Sequence, residues 1–277
     1  MAAHRIGIVG IENSHVDGIV RALNVDGVAN ARVTALVAGD ADRTAQLAEA
    51  GGIDRIVPAS VDLLGEVDAV IVTTRDGATH RELAVPFLSA GVPVWVDKPL
   101  ALSVADADAI LAAAEPTPVT SSSTLRWLPD TDAVATALAS IGELHSLTVS
   151  GPADPDGPYG GLFFYGIHLA DLAQHLVPGT PGRVDVERSP KGVRARYAVG
   201  GVAVTLEFVR PIGEVSVPFH VTAVGSRGSE SRDIAVGPDY VRPGVEAFVR
   251  MLGTGVLPVP AAQMSGAIAV MAAIGQG

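Results

Sequence analysis

The feature that most constrains the fold is the alternation of two patterns between residues 5 and 123. Short apolar runs are each followed by a stretch with helical spacing, except for the last run. Because the runs are apolar on both faces, they fit strands buried between layers of helices. This alternation predicts a parallel sheet with crossover helices. The apolar runs are 5–11, 31–39, 68–74, 92–97 and 118–123, and the helical stretches lie near 14–24, 42–50, 78–90 and 103–115.

After Trp127 the pattern changes to runs in which apolar and polar residues alternate, which favours antiparallel strands with one covered face. Gly200-Gly201 lies between two such runs and indicates a hairpin. The sequence therefore predicts two domains, 1–122 and 123–277. The alternating runs start at Glu143, Val193, Gly201 and Glu214, and further helices are predicted at 129–142, 161–176, 243–252 and 260–274.

Composition excludes several classes of protein. The net charge is −11, and the 19 basic residues are scattered, so we expect no nucleic-acid partner. The absence of cysteine excludes disulfides, thiolate metal sites and cysteine nucleophiles. No signal-peptide pattern is evident, and the apolar run 266–275 is too short to span a bilayer. We expect a soluble, cytoplasmic protein with no membrane partner.

The stretch GIVGIENSH, residues 7–15, lies where a dinucleotide-binding loop would follow the first strand. A G-x-G-x-x-G loop uses its glycines for a tight turn, close approach of the pyrophosphate, and helix packing. These positions are Gly10, Glu12 and His15, so only the first glycine is kept.

Glu12 would repel a pyrophosphate unless it points outward. Polar groups at a helix start can still meet phosphate. The alternative is that Ser14 only caps the helix and His15 lies at the surface. The loop's candidate cofactor-binding residues are Gly10, Ile11, Glu12, Asn13, Ser14 and His15.

A further cofactor candidate follows the second apolar run. Asp40 comes about 30 residues after Gly10, where an acidic residue can bind the ribose hydroxyls of the adenosine. A carboxylate there repels a 2′-phosphate and favours NAD over NADP, although Arg43 is close enough to complicate that preference. The alternative role of Asp40 is an ordinary cap for the helix that begins at Asp42.

Residues 68–110 resemble the Gfo/Idh/MocA family, the glucose-fructose oxidoreductase and inositol dehydrogenase group. The resemblance rests on a strand ending in threonines, a loop with histidine, a helix, Ala-Gly, and an acidic-Lys-Pro tripeptide. These motifs are Thr73-Thr74, His80, Ala90-Gly91 and Asp97-Lys98-Pro99. The likeness continues through STLRWLPD, GGLFFYGIHLADL and VTAVGSRGS, and so covers nearly the whole chain, with a shorter second half than expected.

The resemblance implies a fold and an activity. The fold is a doubly wound Rossmann domain followed by an α+β domain with an open, mostly antiparallel sheet. The activity is hydride transfer between NAD or NADP and a sugar, cyclitol or related polyol or ketone. An open sheet face often takes a partner, so we also expect a homo-oligomer through the C-terminal sheet. The motif residues taken as cofactor-binding are Thr73, Thr74, His80, Asp97, Lys98 and Pro99.

Lys98 is the leading catalytic candidate, because the resemblance implies that it lies at the junction of nicotinamide and substrate. A lysine at the carboxyl end of a parallel strand also reaches the edge where such sheets bind ligands. Its ammonium can stabilise charge on a substrate oxygen. The alternative is a solvated lysine in a surface loop. Asp97 replaces the family's glutamate and keeps its charge.

The predicted helix 161–176 departs from the family, whose pattern there pairs an aspartate with a histidine as acid and base. In this chain the histidine is His168, but the aspartate position is Phe164. His168 could serve alone as general base, or Tyr165 or Tyr159 could supply a hydroxyl. Otherwise His168 is a hydrogen-bonded core residue.

His168, Asp171 and His175 share one face of that helix. They could bind a metal, Asp171 could orient His168, or the stripe could simply meet solvent. We expect no metal site, because one helix stripe rarely completes a coordination shell. Arg126 and Trp127 match a family position near the substrate, although tryptophan is more often a core residue. The candidate substrate-binding residues are Arg126, Trp127, Tyr159 and Asp171.

Two functions remain open. The first is an NAD(P)-dependent dehydrogenase or reductase in which Lys98 polarises the reacting oxygen and His168 moves the proton. The second is a sensor or partner protein that binds a dinucleotide or sugar without turning it over, as the altered loop and Phe164 suggest. A cofactor-independent hydrolase has little support, since no G-x-S-x-G motif is present.

Overall fold

The computed structural model describes residues 3–28, 30–213 and 216–276. These residues form two compact units. The first holds the described residues up to Ala101, together with Ala105–Ser121 and Val241–Pro260. The second holds Leu102–Val104, Ser122–Tyr240 and the described residues from Ala261 onward.

The first unit contains a six-stranded sheet in the order β3-β2-β1-β4-β5-β6, with every neighbouring pair parallel. All residues of β4 and β5 are buried, as their continuous apolar runs predict. The strands are β1 (His4–Val9), β2 (Ala31–Val37), β3 (Arg55–Val57), β4 (Ala69–Val72), β5 (Val94–Val96) and β6 (Val119–Thr120).

Four helices connect these strands near the predicted places. They are α1 (His15–Val20), which continues as a π-helical turn over Arg21–Val25, α2 (Ala41–Gly51), α3 (His80–Ser89) and α4 (Val104–Ala113). The sequence analysis missed β3. This strand is three residues long at the edge of the sheet, and only Val57 of it is buried, so it carries no apolar run.

The second unit contains a six-stranded sheet in the order β12-β11-β7-β10-β9-β8. The β7–β10 pair is parallel, and the other neighbouring pairs are antiparallel. The predicted fold class, a parallel sheet followed by a mostly antiparallel one, is therefore confirmed. The elements are α5 (Pro129–Leu138), β7 (Leu144–Pro152), α6 (Leu162–Leu176), β8 (Asp185–Ser189), β9 (Gly192–Val199), β10 (Val202–Val209), β11 (Phe219–Gly225) and β12 (Gly228–Ile234).

One face of this second sheet is covered. Helix α6 packs on β7 and β10, where side chains such as Leu147, Leu206 and Phe208 are buried. The opposite face is partly exposed, and Thr205 pairs with Thr148, which in turn pairs with Thr222. Alternation of buried and exposed positions thus separates a core face from an open face.

The predicted hairpin at Gly200-Gly201 is present between β9 and β10, and both glycines have positive φ angles. Strands β8 and β12 were missed because they are edge strands rich in polar residues. The predicted run 214–225 begins at Glu214 and Val215, which lie outside the described residues, and the observed β11 begins at Phe219.

Two helices close the chain, α7 (Arg242–Thr254) and α8 (Ala261–Gln276). Helix α8 packs on α6 in the second unit. Helix α7 belongs to the first unit, whereas the sequence analysis placed it in a C-terminal domain. Among the described helices, none combines the length and apolarity needed to cross a bilayer.

Candidate active site

The loop after β1 is fixed by Gly10, whose φ of +89° is a conformation that favours glycine. A Cβ at this position would lie 2.5 Å from the Thr74 backbone nitrogen. The Thr73 hydroxyl donates to the Gly10 carbonyl oxygen. The loop after β1 therefore packs directly on the residues that follow β4, and only glycine fits there.

The rest of this loop alternates between exposed and buried residues. Glu12 and Ser14 are exposed, whereas Ile11, Asn13 and His15 are buried. The Ser14 side chain makes no capping hydrogen bond. The Asn13 side-chain oxygen instead accepts from the His15 backbone N–H at 3.1 Å. Asn13 rather than Ser14 thus satisfies an amide at the start of α1.

The loop after β5 meets this loop through Asp97. The Asp97 Oδ2 atom lies 2.8 Å from both Asn13 Nδ2 and His15 Nδ1. Since a carboxylate only accepts, both nitrogens act as donors. Burial acts to raise the pKa of Asp97, but the charge and hydrogen bond of His15, with the charge of Lys98, outweigh it and hold that pKa at about 2. A buried carboxylate therefore joins the two loops.

Lys98 follows directly, at the carboxyl end of β5, with 6% of its surface exposed. Burial lowers the pKa of its ammonium from 10.5, and the charge of Asp97 opposes that shift. A buried lysine is not the solvated side chain that the sequence left as an alternative. A charged group buried at a strand end is a candidate functional residue.

His80 connects the loops after β4 and β5. Its Nδ1 lies 2.7 Å from the Pro99 carbonyl oxygen, and its Nε2 lies 3.1 Å from the Thr74 carbonyl oxygen. The imidazole is fully buried. The predicted motif residues of the first unit thus meet at the carboxyl ends of β1, β4 and β5.

Asp40 and Arg43 lie at the end of β2. Asp40 is exposed and caps α2 by accepting from the Arg43 backbone N–H. The Arg43 guanidinium makes a two-pronged ion pair with Asp17, at 2.7 and 2.6 Å, and its Nε donates to the Ile11 carbonyl oxygen. Asp40 therefore caps α2, and the Arg43 guanidinium is already hydrogen-bonded within the protein.

The residues of the first unit fit a dinucleotide. An exposed carboxylate, Asp40, follows β2, where sheets of this type bind ribose hydroxyls, and an ammonium, Lys98, follows β5. Gly10 keeps the first turn of the loop tight.

In the second unit, Arg126 and Asp171 form a buried ion pair. The Arg126 Nε and Nη2 atoms donate to the two Asp171 carboxylate oxygens at 3.1 and 2.8 Å. The remaining Arg126 donors reach the Asp171 carbonyl, His175 and Gln263. Burial and the charge of Arg126 lower the pKa of His175, which suits an Nδ1 that accepts this bond. All five N–H groups of Arg126 therefore have acceptors within the protein.

His168 lies on α6 and is 6% exposed. Its Nδ1 is 2.6 Å from the Ser123 Oγ, not from Asp171. Its ring lies beside those of Tyr165 and Phe219, with centroids 6.0 and 5.6 Å away. Ser123 was not among the predicted site residues. Its place at the end of the apolar run 118–123 was the available signal.

The aromatic candidates differ in exposure. Tyr159 and Tyr165 are exposed, and the ring of Phe164 lies within 5.6 Å of both of their rings. Tyr159 has a φ of +60°. Trp127 is partly buried, and its Nε1 donates to the Ser122 hydroxyl at 3.1 Å.

Comparisons with known proteins agree with this geometry. Residues 4–124 match the Gfo/Idh/MocA family model, described as an oxidoreductase family with an NAD-binding Rossmann fold. Inositol 2-dehydrogenase 3 of Saccharopolyspora erythraea is 39% identical over 105 residues, which is 37% of this chain and 30% of the relative. The chain thus matches about a third of the length of this curated relative.

The fold similarity extends over the whole chain. Myo-inositol 2-dehydrogenase of Lactobacillus plantarum superposes with a TM-score of 0.86 at 16% identity, covering 99% of this chain and 96% of that one. An oxidoreductase of Agrobacterium radiobacter, solved with NAD+, L-tartaric acid and magnesium, gives a TM-score of 0.80 at 17% identity, covering 98% and 94%. Residues 4–124 are therefore similar to the NAD-binding Rossmann domain of the Gfo/Idh/MocA oxidoreductases, and the structural neighbours share the fold of the whole chain.

Proposed function

We propose that this protein is an NAD-dependent dehydrogenase or reductase acting on a cyclitol, a sugar or a related polyol or ketone. The observation that carries the proposal is the buried Lys98 ammonium at the end of β5, next to a carboxylate held by Asn13 and His15. The name of the inositol 2-dehydrogenase relative supports a polyol as the substrate class.

The bound NAD supplies the hydride acceptor or donor. The protein's own groups manage charge and protons. Lys98 stabilises negative charge on the reacting oxygen, and desolvation strengthens that interaction. Asp97 and His15 hold the backbone next to Lys98 in place, and Gly10 keeps the loop after β1 tight.

In the second unit we assign the proton transfer to His168, with Tyr165 as the hydroxyl alternative. An imidazole exchanges protons near neutral pH. We assign Arg126 and Asp171 a supporting role, because they satisfy each other inside the protein. Trp127 and Tyr159 remain candidates for substrate contact.

The proposal is tested by mixing the protein with NADH or NADPH, following the quenching of its two tryptophans, and then measuring hydride transfer over a polyol panel beginning with myo-inositol. Lys98→Met should lower kcat by about 100-fold or more, the effect typical of losing a transition-state charge contact. The matched control is Lys191→Met, because Lys191 is exposed and is the only other lysine of the sequence. If neither cofactor binds, the proposal is wrong.

The alternative is the sensor or partner protein, and the same experiment decides between the two. Binding of NADH without turnover of any polyol would favour the sensor. The altered glycine loop and the phenyl ring of Phe164 motivate this second candidate.

We further propose a preference for NAD over NADP. Asp40 places a carboxylate at the end of β2, which disfavours a 2′-phosphate. Arg43 could otherwise bind that phosphate, but its guanidinium is bound to Asp17 and the Ile11 carbonyl. A 2′-phosphate would have to compete with that ion pair.

Asp17→Ala tests this preference, since it releases Arg43. We expect NADPH to bind about 10-fold more tightly to this variant than to wild type, the size of one charge-assisted contact. Asp42→Ala is the control, because it removes the same charge from an exposed residue near the start of α2. An equal gain in both variants would point to net charge alone.

We also propose that the chain forms a homo-oligomer through the open face of the second sheet. That face carries the partly exposed row Thr205, Thr148 and Thr222 rather than charged side chains at its centre.

A further inference from the structure

In the second unit, the side chain of Ser123 holds the imidazole of His168, although Ser123 was not predicted as a site residue. The Ser123 Oγ lies 2.6 Å from His168 Nδ1, and both residues are buried. On the other side, the edge of the His168 ring meets Phe219 at an interplanar angle of 66°. The imidazole is thus fixed in orientation by a hydrogen bond and by ring contacts.

Ser123 is itself fixed at its backbone and its hydroxyl. Its backbone N–H donates to Asp171 Oδ2 at 3.2 Å, and its Oγ accepts from the Leu125 N–H at 3.1 Å. Asp171 is held in turn by Arg126 at 2.8 Å. Ser123 therefore connects the carboxylate of Asp171 to the imidazole of His168.

Nδ1 of His168 is bonded to Ser123, so a proton exchanged with a substrate would pass through the other ring nitrogen, Nε2. In alcohol oxidation with NAD bound as the hydride acceptor, the substrate hydroxyl would give its proton to Nε2. Nε2 of a neutral imidazole accepts a proton only if Nδ1 carries the ring's own proton, which Nδ1 would then donate to the Ser123 Oγ. Reduction of the ketone returns the same proton from Nε2.

We propose that Ser123 is a positioning residue that holds His168 as the tautomer with Nδ1 protonated, so that Nε2 is the proton-exchanging nitrogen. This inference rests on the proposed dehydrogenase function.

The variants are Ser123→Ala, which removes the hydroxyl, and Ser123→Thr, which restores it. Thr131→Val is the matched control, because the Thr131 hydroxyl is buried in the same segment and donates to the Leu125 carbonyl, away from His168. It shows how much of any effect comes from losing a buried hydrogen bond alone. Thermal unfolding of all three identifies variants that have lost the fold.

The first measurement needs no substrate. Long-range 1H–15N spectra of the histidine rings, with His168→Asn used for assignment, report which ring nitrogen carries the proton. We expect Nδ1–H in wild type and in Thr131→Val, and a shift towards Nε2–H in Ser123→Ala. An unchanged tautomer in Ser123→Ala would overturn the proposal.

The second measurement is steady-state kinetics with NAD and a polyol that the wild type oxidises. Ser123→Ala should lose about 10- to 100-fold in kcat, within the contribution of a positioned base, while the KM for NAD stays unchanged. Ser123→Thr should recover most of the loss. Full kcat in Ser123→Ala would contradict the inference. If the wild type oxidises no polyol, the proposed function fails, and the ring spectra alone decide the role of Ser123.

Discussion

At position 15, where a dinucleotide loop usually carries a glycine, this chain buries an imidazole that donates to Asp97. The sequence identified His15 and Asp97 as separate candidates. It did not reveal their bond, because the two residues are 82 positions apart and only the register of the parallel strands brings them together. Lys98 was predicted as a functional residue because Asp97-Lys98-Pro99 resembles a family motif and because it lies at a strand end, and both are local signals.

Arg126 shows where prediction from the sequence failed. Its type and place suggested a substrate ligand, but each of its donors has an acceptor inside the protein. Whether a guanidinium faces a ligand or an internal carboxylate depends on the packing of α6, which local sequence does not encode.

The depressed pKa of Asp97 predicts an acid-dependent loss of stability. A carboxylate with a lowered pKa stabilises the fold above its unfolded pKa, and that contribution disappears as pH falls from about 4 through about 2. Asp97→Asn lacks this titration. Its deficit in unfolding free energy relative to wild type should therefore shrink by about 2 kcal/mol between pH 6 and pH 2.5. Urea unfolding at several pH values measures the difference in unfolding free energy between wild type and Asp97→Asn. A difference that does not change with pH would contradict the lowered pKa of Asp97.

At the scale of elements, the central strands and long helices were predictable because burial imposes a pattern on their residues. The missed strands β3, β8 and β12 all lie at sheet edges, where one side of the strand has no neighbour and side chains meet water. Edge strands need no continuous apolar run, so the pattern disappears although the backbone pairing is the same.

Helix α6 approaches its neighbours through Gly166. A Cβ there would lie 2.8 Å from the Phe208 ring and 3.0 Å from the Met271 methyl group. Gly166→Ala should destabilise the protein by about 1–3 kcal/mol despite the better helix propensity of alanine, because the core must shift. Gly253→Ala is the control, since that helical glycine has open space around it. It should leave stability unchanged or raise it by up to about 1 kcal/mol. Denaturant unfolding of both variants measures the change in unfolding free energy that each substitution causes. Equal changes in the two variants would contradict the prediction.

At the scale of the whole molecule, the proposed assembly depends on the open face of the second sheet. Thr148→Arg puts a long cation at the centre of its threonine row, so we expect sedimentation velocity to show a smaller species than wild type. Thr136→Arg adds the same charge on the exposed surface of α5 and should leave the sedimentation coefficient unchanged. A wild type that already sediments as a monomer would refute the assembly.

Each of the two units is built from segments that are not continuous in the chain. The polypeptide leaves the first unit for Leu102–Val104, leaves it again after Ser121, returns to it for Val241–Pro260, and then leaves it for α8. No single peptide bond can be cleaved to give either unit in one piece. A single cut after Ser121 would therefore leave the Val241–Pro260 segment of the first unit on the other fragment.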